Sequence, residues 1–365
     1  MKTSKIIGVI LAALFVIAGI AAIFQRQFNP ELNKPETFSR PEPQIKSVST
    51  EPQSQTKTTT FLVGGDVSLS RNIAYSIDQA KDPLLPFKDL ENTFNSVDFT
   101  FANLETPFSE SNAYTARNTL VFNAPKKNIE GLVKYKFNVL ALANNHAFDQ
   151  GLNGLKTTRA WLSENNILHT GTGENLDQAW EPVIYESNGI KIGFISASYS
   201  SINDGGKASN NNVARFEHLD RLKLAVAQLK ADKADYIIVA MHGGTEYTRA
   251  PNKGQITFAR ASIDAGADIV IGHHPHWIET IEQYNDKYIF YSLGNFIFDQ
   301  NWSQDTREGL LLQISLQKTE NLKAKLDSIE LLPIIIENNS TPRLANLEET
   351  KTILKNINQK ETIIR

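Results

Sequence analysis

The sequence Gly272-His273-His274-Pro275-His276 carries three imidazoles within four residues, directly after a short apolar run. Neutral imidazole is a common ligand of zinc, manganese, iron and nickel, so the cluster indicates a metal site. If the extended backbone of a strand continues through the cluster, alternate side chains project to one face, and His274 and His276 point into the same pocket. The alternative is an exposed turn that happens to be rich in histidine.

The apolar run before this cluster is one of several that predict buried strands, and amphipathic segments lie between them. The predicted strands are residues 58–64, 97–102, 137–143, 190–197, 236–241, 268–271, 288–291, 310–316 and 326–331. Helical spacing of apolar residues, at three and four, occurs in residues 87–95, 126–135, 152–165, 219–230 and 255–265. Repeated strand, polar turn and helix predict an α/β layer fold.

Polar residues with ligand chemistry follow these predicted strands within a few positions. In open α/β sheets, binding sites form beyond the carboxyl ends of the strands, so we expect these side chains to converge in space. His169 and His218 do not follow such runs and are predicted to be surface residues. The converging set is Asp66, Glu105, Asn145, His146, His242, His274 and His276.

The donors in this set are carboxylate, amide and imidazole, which suit Mn, Fe, Zn or similar divalent ions. Two such ions, about 3.5–4 Å apart, can activate water and clamp a phosphoryl oxygen during in-line attack. The carboxylate of Asp66 or of Glu105 is a candidate to bridge them, and His146 is a candidate general acid. Two arginines, Arg71 and Arg307, are candidates to bind a phosphate or carboxylate in bidentate fashion.

Composition limits the possible functions. The chain has 365 residues, of which 41% are hydrophobic, enough for a sizeable core. Its formal net charge is -3 and no basic block stands out, so nucleic-acid binding is not supported. It contains no cysteine, which excludes disulfides, thiolate zinc sites, cysteine nucleophiles and lipobox acylation.

The N-terminal segment predicts a membrane anchor. Residues 6–24 form an uncharged apolar run of 19 residues, and about 20 such residues span a bilayer. Lys2 and Lys5 precede the run, which favours a cytoplasmic N-terminus and an extracytoplasmic remainder. Residues 1–24 are therefore predicted to be a single-pass signal anchor in the cell membrane, with a cleaved signal peptide as the alternative.

The remaining segments give the predicted domain organisation. Residues 25–57 contain five prolines among polar residues and few large apolar ones, which is typical of a disordered tether that holds a domain off a membrane. The folded domain is predicted at 58–335. Residues 336–365 are polar with weak helical periodicity and are predicted to be an accessory helix or a frayed end.

Six motifs in this domain resemble the CapA family, the PGA_cap domain of capsule and poly-gamma-glutamate synthesis proteins. The resemblance covers roughly residues 58 to 335. The motifs are Gly65-Asp66 with Arg71, Asn103-Leu104-Glu105, Ala143-Asn144-Asn145-His146 with Asp149 and Gly151, His242-Gly243-Gly244-Thr245-Glu246-Tyr247, Gly272 to His276, and the segment 291–300 (YSLGNFIFDQ).

The family resembles the calcineurin-like metallophosphoesterases, which implies a four-layer α/β/β/α sandwich with two metals at the strand ends. By this resemblance the metal ligands are Asp66, Glu105, Asn145, His242, His274 and His276, and His146 is catalytic together with the candidate Arg71. The sequence departs from the phosphatase pattern in that Asp-x-His reads Asp66-Val67-Ser68, and a glutamate, Glu105, is the nearest carboxylate where an aspartate is expected. The neighbouring His273 is a candidate to replace the missing histidine.

Two functions follow from this resemblance. The first is a membrane-anchored, extracytoplasmic, metal-dependent hydrolase or transferase that acts on an anionic surface polymer or its precursor, within a membrane synthesis complex. The second is a non-catalytic assembly or export factor for such a polymer. The histidine pair together with Asn145-His146 favours the enzyme, whereas Ser68 favours the assembly factor.

Overall fold

Two β-sheets face each other in the computed structural model, which describes residues 56–116, 118–199, 211–320, 322–338 and 340–364. These residues belong to one unit, Ser54–Arg365. The strands within them are β1 Thr56–Val67, β2 Phe99–Leu104, β3 Phe137–Ala141, β4 Leu168–Thr170, β5 Val183–Ser187, β6 Ile190–Ser198, β7 Tyr236–His242, β8 Ile269–His273, β9 Ile281–Tyr284, β10 Lys287–Phe290, β11 Asn295–Ile297, β12 Glu308–Thr319, β13 Lys325–Glu337, β14 Thr341–Leu344 and β15 Ile363–Ile364.

Among the described residues, the larger sheet has nine strands and the smaller has six. The larger runs β14-β13-β12-β1-β2-β3-β4, with β11 paired to β1 and β15 paired to β13, and the smaller runs β5-β6-β7-β8-β10-β9. The α-helices are α1 Arg71–Ala80, α2 Glu91–Asn95, α3 Ile129–Lys134, α4 Gly151–Glu164, α5 Leu176–Ala179, α6 Leu219–Ala231, α7 Lys253–Ala265, α8 Gln304–Arg307 and α9 Leu347–Asn356, with 3-10 turns at Leu85–Leu90 and Lys126–Asn128.

Alternation along the strands assigns each face of each sheet to a different core, because successive side chains point to opposite faces. In β1, Phe61 and Val63 pack between the two sheets, whereas Leu62 packs against the helices outside the larger sheet. In β7, Ile238 packs between the sheets and Val239 against the helices outside the smaller one. The layer order is therefore helix, sheet, sheet, helix, which confirms the expected α/β sandwich.

The parallel strands bring their carboxyl ends to one edge of the sandwich. Cross-strand register pairs Asp66 of β1 with Asn103 of β2 and with Asn295 of β11, and it pairs His242 of β7 with His273 of β8. This register pairs Asp66 with Asn295, which is 229 positions away in the sequence. It also fixes the side of the sheet on which each candidate ligand lies.

The expected extended path through the histidine cluster is wrong. Strand β8 ends at His273, and His274 and His276 both have positive φ, at 99° and 59°. A non-glycine residue rarely adopts this backbone region, and such residues are concentrated at functional sites. The two imidazoles therefore reach the site through a left-handed turn rather than through strand alternation.

The predicted segments outside the sheets have different outcomes. The predicted anchor at residues 1–24 and the linker at 25–57, except its last two residues, lie outside the described residues, and none of the described helices is long and apolar enough to cross a bilayer. Sequence periodicity missed α1 and the short strands β4, β5, β9 and β11. The predicted boundary at residue 335 falls inside β13, and β14 and β15 both pair with that strand.

Candidate metal centre

Two groups of buried side chains at the strand ends have the geometry of metal sites. Within each group, one ligand atom per residue lies within 4.8 Å of the others. The first group is Glu105, His242 and His274, and the second is Asp66, Glu105 and His276. Glu105 belongs to both groups, so this carboxylate, rather than that of Asp66, is placed to bridge two cations.

In His274 and His276, a hydrogen bond to one ring nitrogen indicates which nitrogen is left for a cation. His276 Nδ1 lies 2.8 Å from Asn295 Oδ1, which leaves Nε2 for a cation. His274 Nε2 lies 3.0 Å from the Tyr199 hydroxyl, and its Nδ1 has no partner among the described residues. A bond to the second nitrogen fixes the tautomer and the orientation of a ligating imidazole.

The other predicted ligands lie in the same cluster. His242 Nε2 is 3.5 Å from Glu105 Oε1 and 2.6 Å from Asn145 Oδ1, so the Asn145 amide lies beside the first group. Asp66 Oδ2 accepts a hydrogen bond of 3.0 Å from the backbone N–H of His274. The structure therefore brings together all six predicted ligands.

The electrostatics of the cluster fit a divalent cation. Burial raises the pKa of Asp66 to about 7, and burial, followed by repulsion from Asp66 and Glu246, raises the pKa of Glu105. Burial also lowers the pKa of His276 to about 3, so this imidazole is neutral, as ligation requires. Neither carboxylate oxygen of Glu105 has a hydrogen-bond partner among the described residues. Because a buried carboxylate without a partner is costly, the donor set is one that a bound cation would complete.

Two buried asparagines that sequence reasoning did not assign hold the cluster together. Asn103 Nδ2 donates to Asp66 Oδ1 at 2.7 Å, and Asn144 Nδ2 donates to Asn103 Oδ1 at 3.2 Å and to the Leu104 carbonyl at 2.8 Å. Asn144 Oδ1 in turn accepts from the backbone N–H of His146. Both residues lie within the motifs at the strand ends, and in the sequence only this position indicated that they contribute to the site.

His146 lies at the edge of the cluster with a carboxylate behind it. Its Nδ1 is 2.7 Å from Asp149 Oδ2, and its Nε2 is 3.9 Å from Glu105 Oε1. The ring of Phe122 stacks on the imidazole at 3.9 Å between centroids, and the Phe122 backbone N–H donates to the same Asp149 oxygen. This arrangement holds the His146 ring so that Nε2 faces the cluster.

Arg71, the other predicted catalytic residue, contacts the Phe122 ring that stacks on His146. Its guanidinium pairs with Asp299, donates to the Thr119 carbonyl and stacks over the Phe122 ring at 4.5 Å. Its Nε is buried without a hydrogen-bond partner among the described residues. Arg307 donates from Nε to the Ile336 carbonyl on β13 and belongs to neither ligand group.

The residues around the departure from the phosphatase pattern are buried. Neither ring nitrogen of His273 has a hydrogen-bond partner among the described residues, so this residue stays a candidate to replace the missing histidine. Ser68 is buried, and its hydroxyl accepts a hydrogen bond from the Thr106 hydroxyl at 2.8 Å. His273 Nδ1 lies 3.7 Å from Asp66 Oδ1, but the residue is in neither group. Tyr247, the last residue of the motif that begins at His242, stacks on His276 with ring centroids 6.2 Å apart.

Comparisons with known proteins match most of this chain. The family model described as "Bacterial capsule synthesis protein PGA_cap" matches residues 60–300. The PGA biosynthesis protein CapA of Bacillus subtilis is 33% identical over 270 residues, which are 73% of this chain and 70% of that protein. The capsule biosynthesis protein CapA of Bacillus anthracis is 29% identical over 282 residues, covering 74% of this chain and 67% of that protein.

Among solved structures, the calcineurin-like phosphoesterase YfkN from Bacillus subtilis superposes with a TM-score of 0.49 at 15% sequence identity, over 83% of this chain and 97% of that one. The match of the family model and the identity to the Bacillus subtilis protein over most of both chains establish the family. This chain belongs to the PGA_cap family of bacterial capsule synthesis proteins.

Proposed function

We propose that the chain is a metal-dependent hydrolase or transferase in the synthesis of an anionic surface polymer such as poly-gamma-glutamate. The observation that supports this function most strongly is the shared position of Glu105 between two buried ligand groups. A structural metal site needs one closed set of ligands, whereas a carboxylate shared between two sets is typical of two-metal catalytic centres. The two CapA relatives, named for PGA and capsule biosynthesis, support the polymer as the setting.

The residues divide the work at this site. Glu105, His242 and His274, with Asn145 beside them, would hold one cation, and Asp66, Glu105 and His276 would hold the other. Divalent ions held there would polarise the scissile group and lower the pKa of water. The protein contributes the burial that excludes bulk water and the hydrogen bonds that keep each ligand in place.

His146 is the proton donor in this proposal. With Asp149 accepting from Nδ1, a proton on Nε2 faces the cluster and can pass to the leaving oxygen of the substrate. Phe122 restricts rotation of the ring, and Arg71 supports Phe122 from behind. Arg71 therefore acts through its neighbour in this arrangement rather than on the substrate.

The membrane anchor at residues 1–24 is part of the same proposal. An extracytoplasmic domain on a tether of about 30 residues can reach a polymer as it emerges, within a membrane synthesis complex. Comparison of the full-length protein in membrane and soluble fractions, with protease added to intact cells, tests the orientation. Degradation of the domain only after cell lysis would contradict an extracytoplasmic location.

One observation favours a non-catalytic assembly or export factor instead. Ser68 stands where a ligating histidine is expected, and its hydroxyl is occupied by Thr106. The second group then offers only Asp66, Glu105 and His276. A weakened second cation would leave a structural site that holds the polymer without cleaving it.

Hydrolysis of p-nitrophenyl phosphate and bis-p-nitrophenyl phosphate by the full-length protein with Mn²⁺, Zn²⁺ or Fe²⁺ separates these functions. We expect slow, metal-dependent turnover that falls about 10²–10⁴-fold in His146→Gln, the usual contribution of general acid catalysis. Because His146 belongs to neither ligand group, the variant should retain the metal content of the unmodified protein.

A chelated and reloaded sample provides the control for contaminating phosphatases. If the protein binds metal but turns over no ester, phosphate anhydride or gamma-linked glutamate amide with any of these ions, the assembly function replaces the enzyme. If His146→Gln keeps full activity, the assigned proton donor is wrong.

A further inference from the structure

We infer that Tyr199 is a positioning residue that makes His274 bind a cation through Nδ1. The inference rests on the proposed function, because it assigns a role toward the first ligand group. The Tyr199 hydroxyl lies 3.0 Å from His274 Nε2, and the two rings are 4.8 Å apart at 52°. His274 Nδ1 is buried without a partner among the described residues, so it is the nitrogen left for the cation.

The two histidines of the pair would then bind through different nitrogens. In His276, Nδ1 is hydrogen-bonded to Asn295 and Nε2 is available to the cation of the second group. In His274, Nε2 is hydrogen-bonded to Tyr199 and Nδ1 is available to the cation of the first group. Because one ring binds through Nδ1 and the other through Nε2, two imidazoles that are two residues apart can bind two different cations. The positive φ of both residues turns their rings into these orientations.

Tyr199 is held in place by contacts at the ends of β7 and β8, next to the ligands His242 and His274. Its backbone N–H donates to the His242 carbonyl at 3.0 Å, and its own carbonyl accepts from Arg215 Nη1 at 2.8 Å. The ring also needs the glycine that follows His242, because a Cβ on Gly243 would lie 2.8 Å from Tyr199 Cδ1. The side chain is thus tied to β7 through His242 and to the end of β8 through His274.

The chemistry gives the size of the effect. When Nδ1 binds a cation, the proton of the neutral ring is on Nε2, and the tyrosine oxygen accepts it. Phenylalanine would leave that N–H buried without an acceptor. Loss of such a partner typically lowers metal affinity by 10–100-fold.

The test uses the full-length protein stripped of metal by chelation and titrated with Co²⁺ in a calorimeter. We expect the unmodified protein to bind about two equivalents and Tyr199→Phe to bind one of them roughly tenfold or more weakly. The visible absorption of bound Co²⁺ should change in the same variant, because the geometry at one ion changes. Thermal unfolding of the stripped proteins checks that the variant is folded.

Two further variants separate positioning from general damage. Tyr291→Phe removes a tyrosine hydroxyl that bonds to Glu282, outside both ligand groups, and should bind Co²⁺ like the unmodified protein. Gly243→Ala keeps the Tyr199 hydroxyl but displaces its ring, so it should weaken the same equivalent.

The outcomes distinguish this inference from the proposed function. If the unmodified protein binds no Co²⁺, the metal centre itself is wrong and the role of Tyr199 is lost with it. If the unmodified protein binds two equivalents and Tyr199→Phe binds both within twofold of it, the positioning role is overturned while the metal centre stands. Equal losses in Tyr199→Phe and Tyr291→Phe would overturn it as well.

Discussion

Replacement of the shared carboxylate by its neutral isostere, Glu105→Gln, should have two opposite effects on stability. Without metal, the substitution removes a buried carboxyl group whose pKa is raised and whose two oxygens have no hydrogen-bond partner among the described residues. The metal-free variant should therefore be more stable than the unmodified protein. With metal, it should lose the stabilisation that both cations provide, because Glu105 is the one residue common to both ligand groups.

The magnitudes follow from the geometry and from binding linkage. Glutamine keeps a polar group at this position but cannot ionise, so above the pKa of Glu105 the gain is the cost of ionising a buried carboxyl group. That cost is about 1.4 kcal/mol for each unit by which the pKa is raised, which raises the Tm by roughly 2–4 °C per unit. A cation at 100 times its Kd stabilises the folded state by about 2.7 kcal/mol, so each bound ion raises the Tm by roughly 5 °C. The unmodified protein should gain this increment for two ions, and the variant should gain almost none.

Differential scanning calorimetry of both proteins, stripped of metal and then loaded with Mn²⁺, measures both effects. Glu279→Gln is the matched control, because it also neutralises a buried glutamate of raised pKa but belongs to neither group. It should keep the full increment on loading with metal. A Tm of metal-free Glu105→Gln below that of the unmodified protein would refute this prediction. A rise in the Tm of the variant on metal loading that equals the rise expected for two ions would refute it as well.

Two further predictions concern residues outside the ligand groups. Burial raises the pKa of Glu279 to about 8, although the hydrogen bond from Gln255 opposes the shift, so the contribution of this residue to stability is present below its ordinary pKa near 4.5 and is lost as the pH rises through 8. In urea unfolding between pH 5 and 8.5, the free energy of unfolding of Glu279→Gln should rise relative to that of the unmodified protein by up to about 1.4 kcal/mol per pH unit. A difference that stays constant with pH would refute this. Gly272→Ala should lower the Tm by roughly 5 °C or more and reduce the metal content, because the added Cβ would lie 1.9 Å from the Tyr291 carbonyl oxygen. Calorimetry and metal analysis check this prediction, and an unchanged Tm and metal content would refute it.

Short-range patterns were sufficient to predict most of the regular structure. Nine predicted strands correspond to strands of the sandwich, because continuous or alternating apolar runs have few other ways to be buried. The predicted helix at 152–165 is observed as Gly151–Glu164 for the same reason, with one apolar stripe against the larger sheet. The missed helix α1 begins at Arg71 with a positive φ, and its ion pair with Asp299 is a contact that no local pattern contains.

The sequence by itself determined which residues carry ligand chemistry. Carboxylates, amides and imidazoles placed just after apolar strands can be recognised from residue type and spacing, and this pattern selected seven residues that the fold brings to one edge of the sandwich. It left open whether Asp66 or Glu105 is shared, and it predicted the wrong path through His274 and His276. Neither question has a local answer.

Only the tertiary structure decided how the cluster divides into two groups of candidate ligands. Strand register places Asp66 beside Asn103 and Asn295, and the hydrogen bonds from His276 to Asn295 and from His274 to Tyr199 select the nitrogen that each ring presents. Tyr199 and His274 are 75 positions apart in the chain, and they meet because their strands end at the same edge of one sheet. At such an edge, a side chain is oriented by hydrogen-bond partners that lie on other strands. Its direction is therefore fixed by tertiary packing and not by its neighbours in sequence.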